Sequence, residues 1–114
     1  MIWDEIVAFA LTLPGVTMHP VARGALAPAV RGKQIVAMGR APGSIALRAT
    51  REEIDYLKQS DPETFWQTPQ YAGWPVVLVH ADRADPDRLK ALIERAWWDR
   101  ASLRQRAERG GDRP

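Results

Sequence analysis

At 114 residues, with 46% hydrophobic and 26% charged residues, the chain has the size and composition of one globular domain and no room for two independent cores. It contains no cysteine, which excludes disulfides, thiolate metal centres and cysteine nucleophiles. Sixteen Lys and Arg against fourteen Asp and Glu leave a net charge of +2, too small by itself to argue for a nucleic-acid partner.

Ile2, Ile6, Phe9 and Leu13 recur at helical spacing with Asp4 and Glu5 in the first turn, and predict an amphipathic helix ended by Pro14-Gly15. The acidic start and the shortness of the apolar stretch Ile6–Ala10 speak against an export signal or a membrane span, so a cytoplasmic location is expected. From Val21 to Ala49 the pattern changes to short apolar runs broken by Gly and Pro. Three strands are expected there, around Ala29–Arg31, Lys33–Met38 and Ser44–Ala49. Ala41-Pro42-Gly43 has turn chemistry, so the second and third should form a hairpin, and Arg31-Gly32-Lys33 marks a tight turn or bulge between the first and second.

Thr50-Arg51-Glu52-Glu53 fits a capping box opening a helix that runs to about Gln59 and buries Ile54 and Leu57. Asp61-Pro62 has the chemistry to restart a helical turn, which leads into the aromatic-rich stretch Phe65–Trp74, read as an ordered loop. Val76-Val77-Leu78-Val79 is the strongest strand signal, and its unbroken apolar character predicts a central, buried strand with Pro75 at its beginning. Asp85-Pro86 opens a final helix with Leu89, Leu92, Ile93, Ala96 and Trp97 on one stripe. Adjacent helical residues diverge by about 100°, so Trp97 and Trp98 are not both expected inward, and one should lie at a groove, a partner surface or the root of the tail. The basic segment 104–114 has no apolar anchor and is expected to fray, leaving residues 1–103 as the domain.

The charge is segregated along the chain. Between Glu5 and Glu52 every charged residue is a cation: Arg23, Arg31, Lys33, Arg40, Arg48 and Arg51. Glu52, Glu53, Asp55, Asp61 and Glu63 follow with Lys58 alone among them, so one basic and one acidic face are expected. The arginines suit either phosphate binding or the simple protection of strand edges. Alternation places Arg48 on the polar face of its strand and His80 with Leu78, so a sheet face left open would display both. Trp66, Tyr71 and Trp74 have two available roles, stacking on exposed bases or packing as a loop over the core.

Catalytic signatures are missing: there is no phosphate-cradling loop, dinucleotide fingerprint or strained serine turn. His19 and His80 lack partners at metal-ligand spacing, and Glu52, Glu53, Asp61 and Asp85 are best used as helix caps. A non-enzyme without metal or cofactor is therefore expected.

Five short motifs in order resemble the MmcQ/YjbR family: Leu13-Pro14-Gly15-Val16, Val30-Arg31-Gly32-Lys33, Asp61-Pro62-Glu63-Thr64-Phe65, Thr68-Pro69-Gln70-Tyr71-Ala72-Gly73-Trp74 and Ala96-Trp97. The resemblance spans residues 3 to 100. It departs from the family pattern at Pro28-Ala29, where an aromatic usually stands, and around His19-Pro20. It implies an α+β class: a single compact domain, an antiparallel sheet with helices packed on one face, in a CyaY/frataxin-like, double-wing arrangement. It further implies DNA binding. Joined to the charge pattern, this gives the expectation that an open sheet face and hairpin present Arg31, Lys33, Arg40 and Arg48 to phosphates, with Tyr71 or Trp74 as stacking groups, in a protein expected to be monomeric. The competing expectation is a protein-interaction or small-anion-binding module built on the aromatic loop and Trp98. The iron chemistry of frataxin needs an acidic first helix, and here that helix has only Asp4 and Glu5.

Overall fold

The computed structural model describes residues 1–114, the side chain of Arg23 apart. Helix α1 (Trp3–Ala10) forms as its pattern predicts, with the Ile2 amide donating to Glu5 Oε1 at 2.9 Å. Ile6, Ala10 and Leu13 turn inward, while Ile2 is exposed and Phe9 only half-buried. Strand β1 (Val16–Pro20) follows directly, where the sequence pattern predicts none. As an edge strand that buries only Val16, it needs no apolar alternation, and it tolerates a terminal proline.

After a 3-10 turn at Ala22–Gly24, β2 (Leu26–Val30) pairs antiparallel with β1, Val16 opposite Val30 and His19 opposite Ala27. Arg31 and Gly32 then make the two-residue turn into β3 (Lys33–Gln34). Both have positive φ, 54° and 73°, the mark of a type I′ hairpin whose twist matches the flanking strands. Asparagine or glycine usually fills the first position, because glycine has no β-carbon to clash there and the short polar side chain of asparagine can bond the local backbone.

Ile35 separates β3 from β4 (Val36–Met38) and joins two half-sheets. Its N–H donates to the Pro28 carbonyl at 3.0 Å and its carbonyl accepts from the Arg48 N–H at 3.1 Å, so this wholly buried residue bonds to a strand on each side. The result is one creased antiparallel sheet in the order β1, β2, β3/β4, β5 (Ser44–Arg48), β7 (Val76–His80), β6 (Phe65–Trp66). The β4–β5 hairpin turns through Ala41-Pro42-Gly43 as expected, and β7 is the central strand of its half.

Helix α2 (Arg51–Ser60) is capped by Thr50, whose Oγ1 accepts from the Glu53 N–H at 3.2 Å and donates to the Glu53 carboxylate at 3.0 Å. Asp61 ends α2 and does not start a new helix. Its carbonyl accepts from the Thr64 and Phe65 amides, making a turn that delivers the chain to β6, an edge strand within the stretch expected to be loop. Asp85 caps α3 (Pro86–Arg100) through the Arg88 N–H at 2.9 Å. Leu89, Leu92, Ile93, Ala96 and Trp97 are buried against the same sheet face that α1 and α2 cover. Trp97 Nε1, wholly buried, donates to the Pro14 carbonyl at 2.8 Å, which satisfies the indole and ties the last long helix to the end of the first.

Two expectations about the C-terminus are corrected. Trp98 is also buried, edge-on to Trp97 with ring centres 6.2 Å apart. It is sheltered because the tail does not fray: residues Leu103–Glu108 form helix α4, opened by a Ser102/Gln105 capping box. The Arg106 guanidinium lies 5.1 Å over the Trp98 ring and its Nε donates to the Trp98 carbonyl at 2.8 Å. Arg109 pairs with Glu94, and Arg113 with Asp99 and Glu53, so polar clamps replace the missing apolar anchor. The bonds to Asp99 and Glu53 raise the Arg113 pKa above its ordinary value.

The other sheet face is covered as well. Ala46, Val76 and Leu78 are buried beneath Trp66 and Tyr71, and Trp66 stacks on His80 with ring centres 4.0 Å apart. Gln67 organises the loop that makes this cover. Its Nε2 donates to the Tyr71 and Val76 carbonyls at 3.2 and 2.8 Å, and its Oε1 accepts from Lys58 Nζ at 3.0 Å.

Two stability measurements check this reading. Arg31→Asn raises unfolding stability in urea by about 1 kcal/mol, the strain that a β-branching-free, left-handed-tolerant residue relieves at this turn. Gln67→Ala lowers it by about 1–3 kcal/mol, because loop carbonyls and the Lys58 ammonium lose their partner.

Candidate functional site

A pocket of about 510 Å³ opens at the crease, lined by His19 and Val21 before β2, Ala27 and Ala29 on β2, Gln34, Arg48 and Arg100 among others. Its polar side chains come from four separate elements. His19, Ala27, Ala29 and Gln34 share one sheet face by register, since His19 pairs with Ala27 and Ala29 with Gln34. The two small alanines leave the concavity that larger side chains would fill. Lys33 enters from the first residue after the type I′ turn, and Arg48 from the end of β5, its backbone fixed by the Ile35 carbonyl.

Arg100 comes from the last turn of α3, where one guanidinium nitrogen donates to the Ala96 carbonyl at 3.1 Å. Its pKa is lowered from the ordinary arginine value, first by burial and then by the like charge of Arg48. Arg100 is thus held within the field of a second guanidinium. Asp99 offsets this only partly, because its carboxylate is engaged by Arg113 at 3.0 and 3.1 Å. Among the described residues, no carboxylate lines the pocket and none forms an ion pair with Lys33, Arg48 or Arg100. Cations gathered in a concavity without counter-charge are the electrostatic complement of an anion.

The six residues singled out in the sequence divide unevenly around this pocket. Lys33 and Arg48 line it together. Arg31 stands exposed at its rim, next to the lining residue Gly32. Arg40 is exposed on the other hairpin, past the far end of the creased strand, outside the pocket. Tyr71 is half-buried and packs over the apolar sheet face, so its ring belongs to the structural cover. Trp74 is 59% exposed, two residues before Val76, the register partner of Arg48, and remains free to stack. His80 is committed to Trp66 and does not join Arg48.

Arg100 and His19 are the residues that sequence reading missed. No local pattern marks Arg100, because Arg48 lies 52 positions earlier and only the packing of α3 across β2 and β5 brings the two together. His19 belongs to the strand that was not predicted.

A small anion should bind this site in solution and stabilise the fold by linkage. Phosphate at 50 mM is expected to raise the melting temperature by about 2–5 °C over chloride at equal ionic strength, and Arg48→Gln to abolish that difference, as scanning calorimetry would show.

No helix is long and apolar enough to cross a membrane among the described residues. No curated protein and no solved structure matches the chain. A family profile described as YjbR matches residues 11–98, which runs from the end of α1 through Trp98 and includes β1 to β7 and all of the pocket residues except Arg100. By that match over most of its length, and with the motifs of its hairpin and aromatic loop in place, the chain belongs to the YjbR family.

Proposed function

We propose that this protein binds DNA through its phosphates, as a non-catalytic binder, using the crease pocket and the β2–β3 hairpin beside it. The observation that carries this reading is the set of three cations, Lys33, Arg48 and Arg100, lining one concavity without a carboxylate among the described residues. The ion pairs among the described residues lie elsewhere, on α2, α3 and the tail. Arg31 supports the same reading. It occupies a backbone position that disfavours its side-chain type, and it places a guanidinium at the tip of the hairpin, where a passing strand would meet it. Trp74 supplies an exposed ring on the side of Arg48 on which an unpaired base can stack.

In this reading the phosphates are held by Arg31, Lys33, Arg48 and Arg100. Arg40 adds a contact only to a strand long enough to pass both hairpins, about 20 Å by strand rise. Binding labelled DNA, followed by fluorescence anisotropy, should show micromolar affinity. It should fall with salt at a log–log slope of about −3.6 for four neutralised phosphates on a duplex. Replacing Arg31 and Lys33 with Ala should weaken every sequence alike and bring the slope to about −1.8. Trp74→Ala should weaken single strands by about tenfold or more and leave duplex binding nearly unchanged. Absence of binding at low salt to duplex and single strand alike would overturn the proposal.

A further inference from the structure

The shape of the site says more than its charge. Contact with the phosphates along a strand needs only cations that the strand can reach, wherever they stand on the surface. Here Lys33, Arg48 and Arg100 instead line a concavity of about 510 Å³, within the range of pockets that enclose a small molecule. The lining also includes Ala27 and Ala29, whose side chains are too short to fill it, and Gln34 brings a side-chain amide with both donor and acceptor capacity.

Two guanidiniums in one concavity, with no carboxylate among the described lining residues, are best matched by a ligand with more than one negative charge at a single point. A phosphodiester carries one charge. A terminal phosphomonoester carries between one and a half and two at neutral pH, on three acceptor oxygens, and matches the lining cations Lys33, Arg48 and Arg100 in charge. A chain end can enter such a concavity with its terminal phosphate, whereas the interior of a strand offers it one diester at a time. Arg31 at the rim and exposed Trp74 on the side of Arg48 then lie where the nucleotides following such an end would leave.

We propose that the crease pocket takes a terminal phosphomonoester, so that the protein prefers phosphorylated DNA ends to the interior of a strand. This rests on the nucleic-acid reading above, and a free mononucleotide offers the same chemistry. Lys33, Arg48 and Arg100 bind the terminal phosphate, Gln34 meets the first base or sugar, and Arg31 holds the next phosphate along the chain.

The test compares labelled single strands of one sequence that carry a 5′-phosphate, a 3′-phosphate or no terminal phosphate, with a nucleoside monophosphate as unlabelled competitor. One terminal phosphate is expected to tighten binding by about tenfold, the worth of one charge-assisted hydrogen-bond set. Arg100→Met and, as a second variant at an exposed site, Lys33→Gln should each weaken the phosphorylated strands more than the unphosphorylated one, so that the difference between them shrinks to about twofold or less. Arg31→Ala should weaken all three strands equally. Circular dichroism melting of each variant confirms that it is folded. Equal binding of all three strands overturns the end preference while the DNA reading stands. Saturable binding of the mononucleotide with no binding of any strand keeps the phosphomonoester pocket, assigns it to the free nucleotide and overturns the DNA reading. Failure of both classes to bind overturns both.

Discussion

The site depends on the backbone of one residue. Ile35 gives its N–H to β2 and its carbonyl to β5, and through those two bonds the three-stranded and four-stranded halves become one sheet. The sheet creases there, and the crease makes the concavity. Gln34 immediately precedes Ile35, and Arg48 owns the amide that its carbonyl accepts, so two of the pocket's polar side chains are positioned by the same residue. Complete burial of the Ile35 side chain keeps both bonds out of competition with water, which is why a junction of only two hydrogen bonds can hold an angle.

The two sheet faces solve different problems. The first is covered by three helices and carries the large aliphatic side chains, an ordinary core closed by the Trp97 indole. The second is covered by a loop, which cannot supply a helix's width, so aromatic rings do the covering. Trp66 and Tyr71 are broad enough to bury Ala46, Val76 and Leu78 with two side chains, and Gln67 stands in for the strand pairing that a loop lacks. This cover stops at Arg48, and the uncovered remainder of the face is where the pocket opens. The open, cationic face expected from alternation is therefore real only over the half of the sheet nearest β1.

Much of this was legible from residue order. The helices announced themselves through caps, Thr50 and Asp85 above all, and through the Leu89-to-Trp97 stripe, because those signals are local. The hairpins were legible from Arg31-Gly32 and Ala41-Pro42-Gly43, since turn geometry is chosen within a few residues. The edge strands β1 and β6 were not, because an edge needs to bury only one side chain, as Val16 and Phe65 do, and leaves no periodicity. The docked tail was hidden for a related reason. It is held by Arg106 on a tryptophan and by ion pairs to α2 and α3, and none of these produces an apolar pattern in its own sequence. Half of the pocket was visible in Lys33 and Arg48. Arg100 was not, because its meaning arises only from a neighbour far away in the chain.

The ion pairs of this protein all sit on the helical side, where Asp61, Glu53, Glu94 and Asp99 neutralise Arg88, Arg95, Arg109 and Arg113. The cations of the crease have no such partners among the described residues, so a molecule of small net charge still gathers uncompensated positive charge beside the β2–β3 hairpin. Under the proposed function, a polyanion diffusing nearby would be turned toward that hairpin before contact. The arrangement would then act on the frequency of productive encounters, and on their orientation, as well as on the lifetime of the complex once formed.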